Sequence, residues 1–207
     1  MVKRLVTPSI TERRVALQRR QRVALMSREE MQRELLTSEV TGLPNRRAFD
    51  EAEVAHAVAM CDVDGLKALN NYGYETGNGL LRAMADALCK AGLEAYHDKG
   101  DEFLCRDNQI DVLQIKLECA KAILRVRTTL VRRADGRTLS IAGAEFSYGV
   151  GKDIYEAEID LKRHKAHRER RGAIARGELR GIIVRTYQAG ICTSPNEEGD
   201  GDCLDLL

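Results

Sequence analysis

The feature that most restricts the fold of this chain is the stretch VAHAVAMCDVD at positions 54–64, which ends in two closely spaced acids. Its first part is nearly continuous in apolar residues, which is typical of a central strand that is buried on both faces. Asp62 and Asp64 are two positions apart, so an extended backbone points both side chains to the same face. The stretch therefore predicts a buried strand that carries carboxylates to one edge of a sheet.

Strand and helix patterns alternate around this strand. LEAYHDKGDEFLC at 93–105 predicts a β-hairpin in which Gly100 supplies the positive φ of a tight turn. Apolar residues recur at helical spacing in LLRAMADALCKAG and in NQIDVLQIKLECAKAIL, and Asn45 precedes RRAF as a helix cap. RTTLVRRADGRTLSI contains a DG turn between strand-like halves, AEFSYGVG predicts a strand, and DIYEAEIDLKRHKAHRERRG predicts a charged helix. We therefore expect an α+β fold.

The first 37 residues predict a helical arm. The stretch from Ile10 to Leu36 lacks Gly and Pro, is rich in Arg, Gln and Glu, and carries an irregular apolar stripe. We expect one long N-terminal helix there. Such a helix can pack on its own domain or bring two copies of the chain together, and the sequence leaves both alternatives open.

The last residues of the chain differ in composition from the middle. Positions 193–207 contain five acidic residues and no basic one, together with Pro and Gly, which predicts a mobile acidic tail. We therefore expect a helical arm at 1–37, one folded domain at 38–190 and a tail at 191–207.

The charge balance of the chain argues against several classes of protein. Its 207 residues include 33 basic and 32 acidic ones, whereas nucleic-acid binders are usually clearly basic.

The first residues lack the apolar segment of a signal peptide, and no apolar run approaches the roughly 20 residues of a membrane span. We expect a cytoplasmic protein that has no membrane span and does not bind nucleic acid stably.

Cysteine and histidine spacing gives no metal-site pattern. None of the six cysteines forms a CxxC pair, and we expect them to be small, reduced core residues. His164 and His167 lie one helical turn apart without acidic or cysteine partners nearby, so we expect them to be exposed.

Acids follow predicted strands or turns at two places in the chain, Asp62 with Asp64 and Asp101 with Glu102. Carboxylates at the ends of buried strands are costly unless something compensates their charge. Mg²⁺ does so well, since it prefers carboxylates, water and phosphates, and two cations about 4 Å apart can clamp a phosphoryl transfer. Solvated acids in loops show the same patterns, so the acids alone leave both alternatives open.

Four ordered blocks resemble the GGDEF family of nucleotidyl cyclases, the diguanylate cyclases. TGLPNRRAF at 41–49 is similar to the family's TGLPNRRxF, and CDVDGLKALNNYGYETGNGLL at 61–81 is similar to its DxDxFKxxND…GHxxGDxxL block. KGDEF at 99–103 stands where the family has GGDEF, and EIDLKRHK, which ends at Lys165, resembles a late helix of the family. The resemblance covers about 38–172. It implies a palm-like βαββαβ sheet, antiparallel or mixed, with helices on one side.

The resemblance implies roles for the acids and for one lysine. Asp62, the Val63 carbonyl and Asp101 would hold Mg²⁺ or Mn²⁺, and Glu102 would be a direct or a more distant ligand. Lys165 would reach the triphosphate as a point charge. Asp62, Asp101, Glu102 and Lys165 would thus be the catalytic residues.

The resemblance also implies a nucleotide site. Leu66 and Lys67 would cradle phosphates through backbone N–H groups, Gly100 would lie beside the substrate, and Asn70 would read the guanine edge. Asn78 stands where the family has a second guanine-reading Asp. This difference leaves the choice between GTP and ATP open.

Several positions depart from the family pattern. Lys99 replaces the first glycine of the motif, and its side chain either points into water or contacts a phosphate and crowds the nucleotide. His97 stands where the family often has Arg, and Ser38 stands where it has Asp. The segment 49–61 is far shorter than the usual first helix. KAGL at 90–93 lacks the RxxD of product inhibition, so we expect no feedback through that site.

The implied activity is the condensation of two GTP molecules into cyclic di-GMP, with release of pyrophosphate, across a homodimer in which each subunit binds one GTP. Two alternatives stay open: a degenerate domain that binds a nucleotide or a protein, and a cyclase with altered nucleotide selectivity. Lys99, Asn78 and the short first helix favour the alternatives, whereas the complete set of catalytic residues favours the cyclase.

Overall fold

The computed structural model describes residues 25–132, 136–170, 182–188 and 191–193. Its centre is a four-stranded sheet in which every neighbouring pair of strands is antiparallel. The strand order is β2–β3–β1–β6, formed by β1 (Ala57–Val63), β2 (Glu94–Lys99), β3 (Glu102–Asp107) and β6 (Phe146–Gly151). The predicted hairpin at 93–105 is confirmed as β2 and β3.

Helices precede, connect and follow these strands. In chain order they are α1 (Arg28–Leu36), α2 (Arg46–Glu51), α3 (Leu66–Asn70), α4 (Tyr74–Lys90), α5 (Ile110–Val126) and α6 (Ile154–Arg170). The order β1–α4–β2–β3–α5–β6 is the expected βαββαβ arrangement. Asn45 caps α2 as predicted, because its Oδ1 atom accepts hydrogen bonds from the N–H groups of Arg47 and Ala48.

Helices cover both faces of the sheet, so the expectation of helices on one side is wrong. Side chains alternate along β1: Ala59 and Cys61 join the large core formed with α4 and α5. Met60 points the other way and packs in a smaller cluster with Ala157 and Leu161 of α6. Asp62 shares this second face with Met60, which brings it under α6.

The two long helices α4 and α5 bury the apolar stripes that the sequence predicts. On α5 these residues are fully or almost fully buried: Leu113, Leu117, Ala120 and Leu124. Helix α4 begins at Tyr74, six residues before the apolar stretch from which we predict it, and ends before Gly92, whose φ is +73°.

A second, smaller antiparallel sheet lies beside the first. It consists of β4 (Thr129–Arg132), β5 (Thr138–Ala142), β7 (Ile183–Gln188) and β8 (Ile191–Thr193) in that order. The pairing of β4 with β5 confirms the hairpin predicted from the DG turn. Strand β8 occupies the first residues of the predicted tail, and 194–207 lie outside the described residues.

The N-terminal arm is not one continuous helix up to Leu36. Helix α1 starts at Arg28, because Ser27 caps it in a capping box with Glu30, and Ser27 itself has an extended backbone. Met26 and Ser27 therefore separate α1 from the preceding residues. Residues 10–24 of the predicted helix lie outside the described part of the chain.

The cysteines are not all core residues as expected. Cys61 and Cys105 are buried, but Cys89 and Cys119 are exposed, because they lie on the outer faces of α4 and α5. His164 is exposed as predicted, and its Nδ1 atom lies 3.0 Å from the Tyr148 carbonyl oxygen. None of the described helices combines the length and the apolarity that a membrane crossing requires.

Candidate active site

The fold brings the two acidic segments together at one end of the sheet. Asp62 of β1 is the cross-strand partner of Glu102 in β3. The next residue, Val63, donates a backbone hydrogen bond of 3.0 Å to the Asp101 carbonyl oxygen. Asp62, Val63, Asp101 and Glu102 therefore lie side by side, in the arrangement that the spacing in the sequence predicts.

Lys165 of α6 joins this acidic edge. Its Nζ atom lies 2.6 Å from Asp62 Oδ2, and the side chain of Asp62 is only 18% exposed. Burial raises the pKa of Asp62, Lys165 acts against this effect through its hydrogen bond and its charge, and Asp101 and Asp64 raise the pKa further. Asp62 is thus a half-buried carboxylate that requires positive charge beside it.

We expect Asp62→Asn to be more stable than the wild type at pH 7, by up to about 1 kcal/mol, because it removes a buried charge. The raised pKa means that the native state binds more protons than the unfolded state while Asp62 titrates, so wild-type stability falls as the pH rises through that range. The difference between the two proteins should disappear below about pH 3.8, the ordinary value for Asp. Urea unfolding at several pH values measures this difference in stability. If Asp62→Asn were less stable than the wild type at pH 7, the raised pKa of Asp62 would be contradicted.

Lys99 contacts the acidic edge as well. A bulge between His97 and Lys99 sets Lys99 opposite Glu102 across the hairpin, and its Nζ atom lies 3.4 Å from Glu102 Oε2. The side chain of Lys99 is 75% exposed, so the solvent-facing alternative describes most of it. The ammonium group nevertheless turns back toward the acid, which neither alternative from the sequence includes.

The described residues offer oxygen ligands for a cation but no complete metal cluster. Within 25–132, 136–170, 182–188 and 191–193, no three His, Cys, Asp or Glu side chains are grouped so that they could hold a metal ion. The donors at the acidic edge are carboxylates and a backbone carbonyl, which are hard ligands of the kind that Mg²⁺ prefers. Glu102 Oε2 is buried and has no hydrogen-bond partner in the described part, so the ion pair with Lys99 is not accompanied by the hydrogen bond that burial normally demands.

The predicted nucleotide residues lie next to this edge, on α3 and α4 and in the hairpin turn. Gly65 (φ +82°) leads into the short helix α3, in which the side chain of Leu66 is buried and that of Lys67 is exposed. Only the backbone of Leu66 is therefore available to a ligand. Gly100 has a φ of +53°, so it adopts the left-handed conformation that the turn requires.

Asn70 and Asn78 lie at the contact between α3 and α4. Both are half-buried. A Cβ atom on Gly77 would come within 3.0 Å of Asn70 Cγ and closer still to its Oδ1 atom. The absence of a side chain at Gly77 therefore allows Asn70 to lie where it does.

Sequence reasoning missed a partly buried contact between Ser38 and His97, two residues that depart from the family pattern. The Ser38 hydroxyl lies 2.7 Å from His97 Nδ1, and His97 Nε2 lies 3.2 Å from the Gly100 carbonyl oxygen. His97 is 7% exposed and stacks on Phe103 at 4.8 Å. If Ser38 donates to Nδ1, the Nε2–H group can donate to the Gly100 carbonyl oxygen, so both ring nitrogens have a partner and the side chain supports the turn before Asp101. The signal in the sequence was that Ser38 and His97 both depart from the family pattern.

Comparison with known proteins gives relatives in sequence and in fold. No protein-family model matches the chain. Over 137 residues, or 60% of this chain, it is 33% identical to diguanylate cyclase VdcA of Vibrio cholerae serotype O1, and the match spans 40% of VdcA. Over 92 residues it is 39% identical to an uncharacterized protein in the hutH 5′ region of Streptomyces griseus, and this match covers 36% of the chain and 38% of that protein. The chain thus spans about two-fifths of the length of these curated relatives.

Two solved structures share the fold. The coiled coil and GGDEF domain of DgcB from Caulobacter crescentus, in complex with c-di-GMP, gives a TM-score of 0.52 at 23% identity over 79% of this chain and 93% of that one. Diguanylate cyclase SiaD of Pseudomonas aeruginosa, in complex with its activator SiaC, gives a TM-score of 0.52 at 21% identity, over 76% of this chain and 66% of that one. At these identities the likeness concerns the fold alone.

The antiparallel sheet and its helices give the chain the palm-like fold of these GGDEF-domain structures. The sequence similarity to a diguanylate cyclase agrees with this class. The sequence relative and the shared fold together support a GGDEF-family protein.

Proposed function

We propose that this chain is a diguanylate cyclase, which condenses two GTP molecules into cyclic di-GMP and releases pyrophosphate. The observation that carries the proposal is the meeting of Asp62 with Asp101 and Glu102 at one sheet edge, beside Lys165. Similarity to VdcA supports the same reaction, because that protein is named as a diguanylate cyclase.

Asp62, the Val63 carbonyl and Asp101 would hold Mg²⁺ or Mn²⁺, with Glu102 beside them. The donor set fits such a cation, because its atoms are hard oxygens and Glu102 Oε2 is buried without a hydrogen bond in the described part. When bound, the cation would make the 3′-hydroxyl easier to deprotonate and would offset charge on the α-phosphate.

Lys165 would bind the triphosphate. Its side chain is 37% exposed, and a lysine ammonium on a flexible stem can turn from Asp62 to a phosphate oxygen without leaving α6. Leu66 and Lys67 would contribute backbone N–H groups to the phosphates, and Asn70 would read the guanine edge. These residues would act mainly by positioning the nucleotide and by stabilising developing charge.

Each active site would hold one GTP, so the reaction would need two copies of the chain that face each other as a homodimer. The 3′-hydroxyl of one nucleotide would attack the α-phosphorus of the other and expel pyrophosphate, and a second, equivalent attack would close the ring. Residues 1–37 are the part of the chain that we expect to bring the two copies together.

Product identification tests the proposal. Purified full-length protein is incubated with GTP, with ATP and with both in competition, in the presence of Mg²⁺ or Mn²⁺, and the products are identified by mass spectrometry. We expect cyclic di-GMP from GTP. A product that contains adenine would instead support the cyclase with altered selectivity, which Asn78 favours.

A binding module is the second candidate function. It is favoured by the two lysines that already pair with Asp62 and Glu102, and by the lack of a three-ligand cluster in the described residues. A dimeric preparation that binds GTP but converts no nucleotide would support this candidate.

Gly77→Ala tests the role of Asn70 without changing Asn70. The new Cβ would displace the Asn70 amide, so we expect a roughly tenfold loss in kcat/KM for GTP and a smaller preference for GTP over ATP. Steady-state kinetics with both nucleotides measure the change. Gly79→Ala is the matched control on the same helix, because its Cβ would meet Val131 instead. An unchanged preference in Gly77→Ala would remove Asn70 from the base-reading site.

A further inference from the structure

Lys99 occupies a defined place opposite Glu102. The strand register skips one residue of β2, so that Lys99 and Glu102 are direct partners across the hairpin. Their charged atoms are 3.4 Å apart, which is an ion pair beyond ideal hydrogen-bond length. The backbone of the hairpin, and not only a flexible side chain, thus brings the ammonium to the acidic edge.

Glu102 needs the positive charge that Lys99 brings. The Glu102 side chain is 25% exposed, and its Oε2 atom is buried without a hydrogen-bond partner in the described residues. Burying a carboxylate oxygen without a hydrogen bond is costly unless positive charge lies near it. Among the described residues, the cation that pairs with Glu102 is the ammonium of Lys99, at the position where the family motif has glycine.

The charge of Lys99 also acts on a residue of α6. Lys162, through a hydrogen bond of 2.6 Å, and more weakly the charge of Lys99 lower the pKa of Glu158 on that helix. In the strand register Lys99 is the partner of Glu102, and Glu102 is the partner of Asp62, so these three side chains share one face of the sheet. Both lysines approach the acidic edge from this side, Lys165 at Asp62 and Lys99 at Glu102.

The charge balance at the edge follows from these pairs. Of the three acids proposed as metal ligands, Asp62 pairs with Lys165 and Glu102 pairs with Lys99, whereas Asp101 is the third. The described lysines thus offset two of these three ligand charges, whereas with glycine at position 99 they would offset only one. Fewer negative charges mean a weaker attraction for a second divalent cation.

We infer that Lys99 is a built-in counter-charge of the metal site, which supplies at Glu102 part of the compensation that a second divalent cation would otherwise supply. The inference rests on the proposed function, because it takes the acidic edge to be the metal site. It assigns Lys99 a positioning role toward Glu102 and no contact with substrate. The chain would then bind one Mn²⁺ ion with ordinary affinity and a second one only weakly.

Mn²⁺ binding to the full-length protein tests the inference independently of turnover. Free Mn²⁺ is titrated by electron paramagnetic resonance in wild type, Lys99→Met, Lys99→Gly, Lys99→Arg and Asp62→Asn, which lacks a proposed ligand, with a non-hydrolysable GTP analogue present and absent. Lys99→Met removes the charge and keeps the length of the side chain, whereas Lys99→Arg keeps the charge. Lys116→Met is the matched control, because Lys116 pairs with Asp107 at the other end of β3, at 2.6 Å.

We expect the weaker Mn²⁺ site to become about tenfold tighter in Lys99→Met and Lys99→Gly at low ionic strength, and unchanged in Lys99→Arg and Lys116→Met. The gain should shrink as salt is added, since Lys99 is largely exposed and its charge is screened, whereas a purely structural effect would not respond to salt.

The outcomes separate this inference from the proposed function. If Lys99→Met binds Mn²⁺ like the wild type while GTP is still converted, the inference is overturned and the proposed function stands. If neither the wild type nor any Lys99 variant binds Mn²⁺ more tightly than Asp62→Asn does, the acidic edge is not a metal site. In that case the inference and the proposed function both fail. If Lys116→Met tightens binding as much as Lys99→Met, the effect is one of net charge and the inference is overturned.

Discussion

Asp101→Ala should reduce GTP turnover by at least about 10³-fold and leave the fold intact. A bound divalent cation contributes several kcal/mol to charge stabilisation in a phosphoryl transfer, and each 1.4 kcal/mol corresponds to about a tenfold change in rate. The fold should persist, because the contact of residue 101 with β1 runs through its backbone carbonyl, which alanine keeps. Initial rates of cyclic di-GMP formation, together with circular dichroism and thermal unfolding, measure both expectations.

Two comparisons make this result specific. Asp111→Ala removes an exposed acid from the first turn of α5, away from the acidic edge, and should leave turnover unchanged. Raising the Mn²⁺ concentration should recover part of the activity of Asp101→Asn, if the loss lies in metal binding. Full activity of Asp101→Ala would show that Asp62 and Asp101 do not share a cation, and the proposed mechanism would fail.

The elements of the central sheet could be predicted because local patterns and tertiary packing agree there. The apolar run before Asp62 became the central strand β1, and the four-residue stripe of α5 became its buried face. The hairpin was predictable because Gly100 lies between two strand-like segments and has the positive φ that the turn needs.

The elements that sequence reasoning missed depend on contacts between distant residues. Strand β7 pairs with β5 across more than forty residues, so nothing local indicated that 183–188 would extend the hairpin into a second sheet. The covering of both sheet faces was missed because α6 has few apolar residues. It packs closely through Ala157 and Leu161, next to glycines of β6, instead of through a wide apolar stripe.

The candidate site divides in the same way. The sequence could predict that the two acidic pairs are neighbours, because each pair lies at the end or the start of a strand of one sheet. The first pair is Asp62 and Asp64, and the second is Asp101 and Glu102. The direction of the Lys99 ammonium could not, because it depends on a bulge that skips Asp98 in the register of β2 and β3. The contact of Ser38 with His97 joins residues 59 positions apart, and only the folded chain shows it.

Gly149→Ala should destabilise the protein by about 3 kcal/mol or more, the upper end of the usual range for overpacking. Gly149 of β6 lies under α6, where a Cβ atom would come within 2.7 Å of Leu161 Cα and closer to the Leu161 nitrogen. These are backbone atoms, which cannot turn aside as a side chain can, so the helix must move as a unit. In a domain of this size we expect the Tm to fall by about 6–12 °C.

A shift of α6 would also move Lys165 away from Asp62, so turnover by Gly149→Ala should fall even at temperatures where the protein is folded.

Two comparisons isolate the backbone contact as the cause of the destabilisation. Gly92→Ala meets no neighbouring atom and should cost only about 1 kcal/mol, from its positive φ. Leu161→Ala should not rescue Gly149→Ala, because the clash is with the main chain of residue 161, whereas Val131→Ala should relieve the side-chain clash of Gly79→Ala. A Tm of Gly149→Ala within 2 °C of wild type, about the effect of 1 kcal/mol, would show that α6 does not pack on β6 this closely.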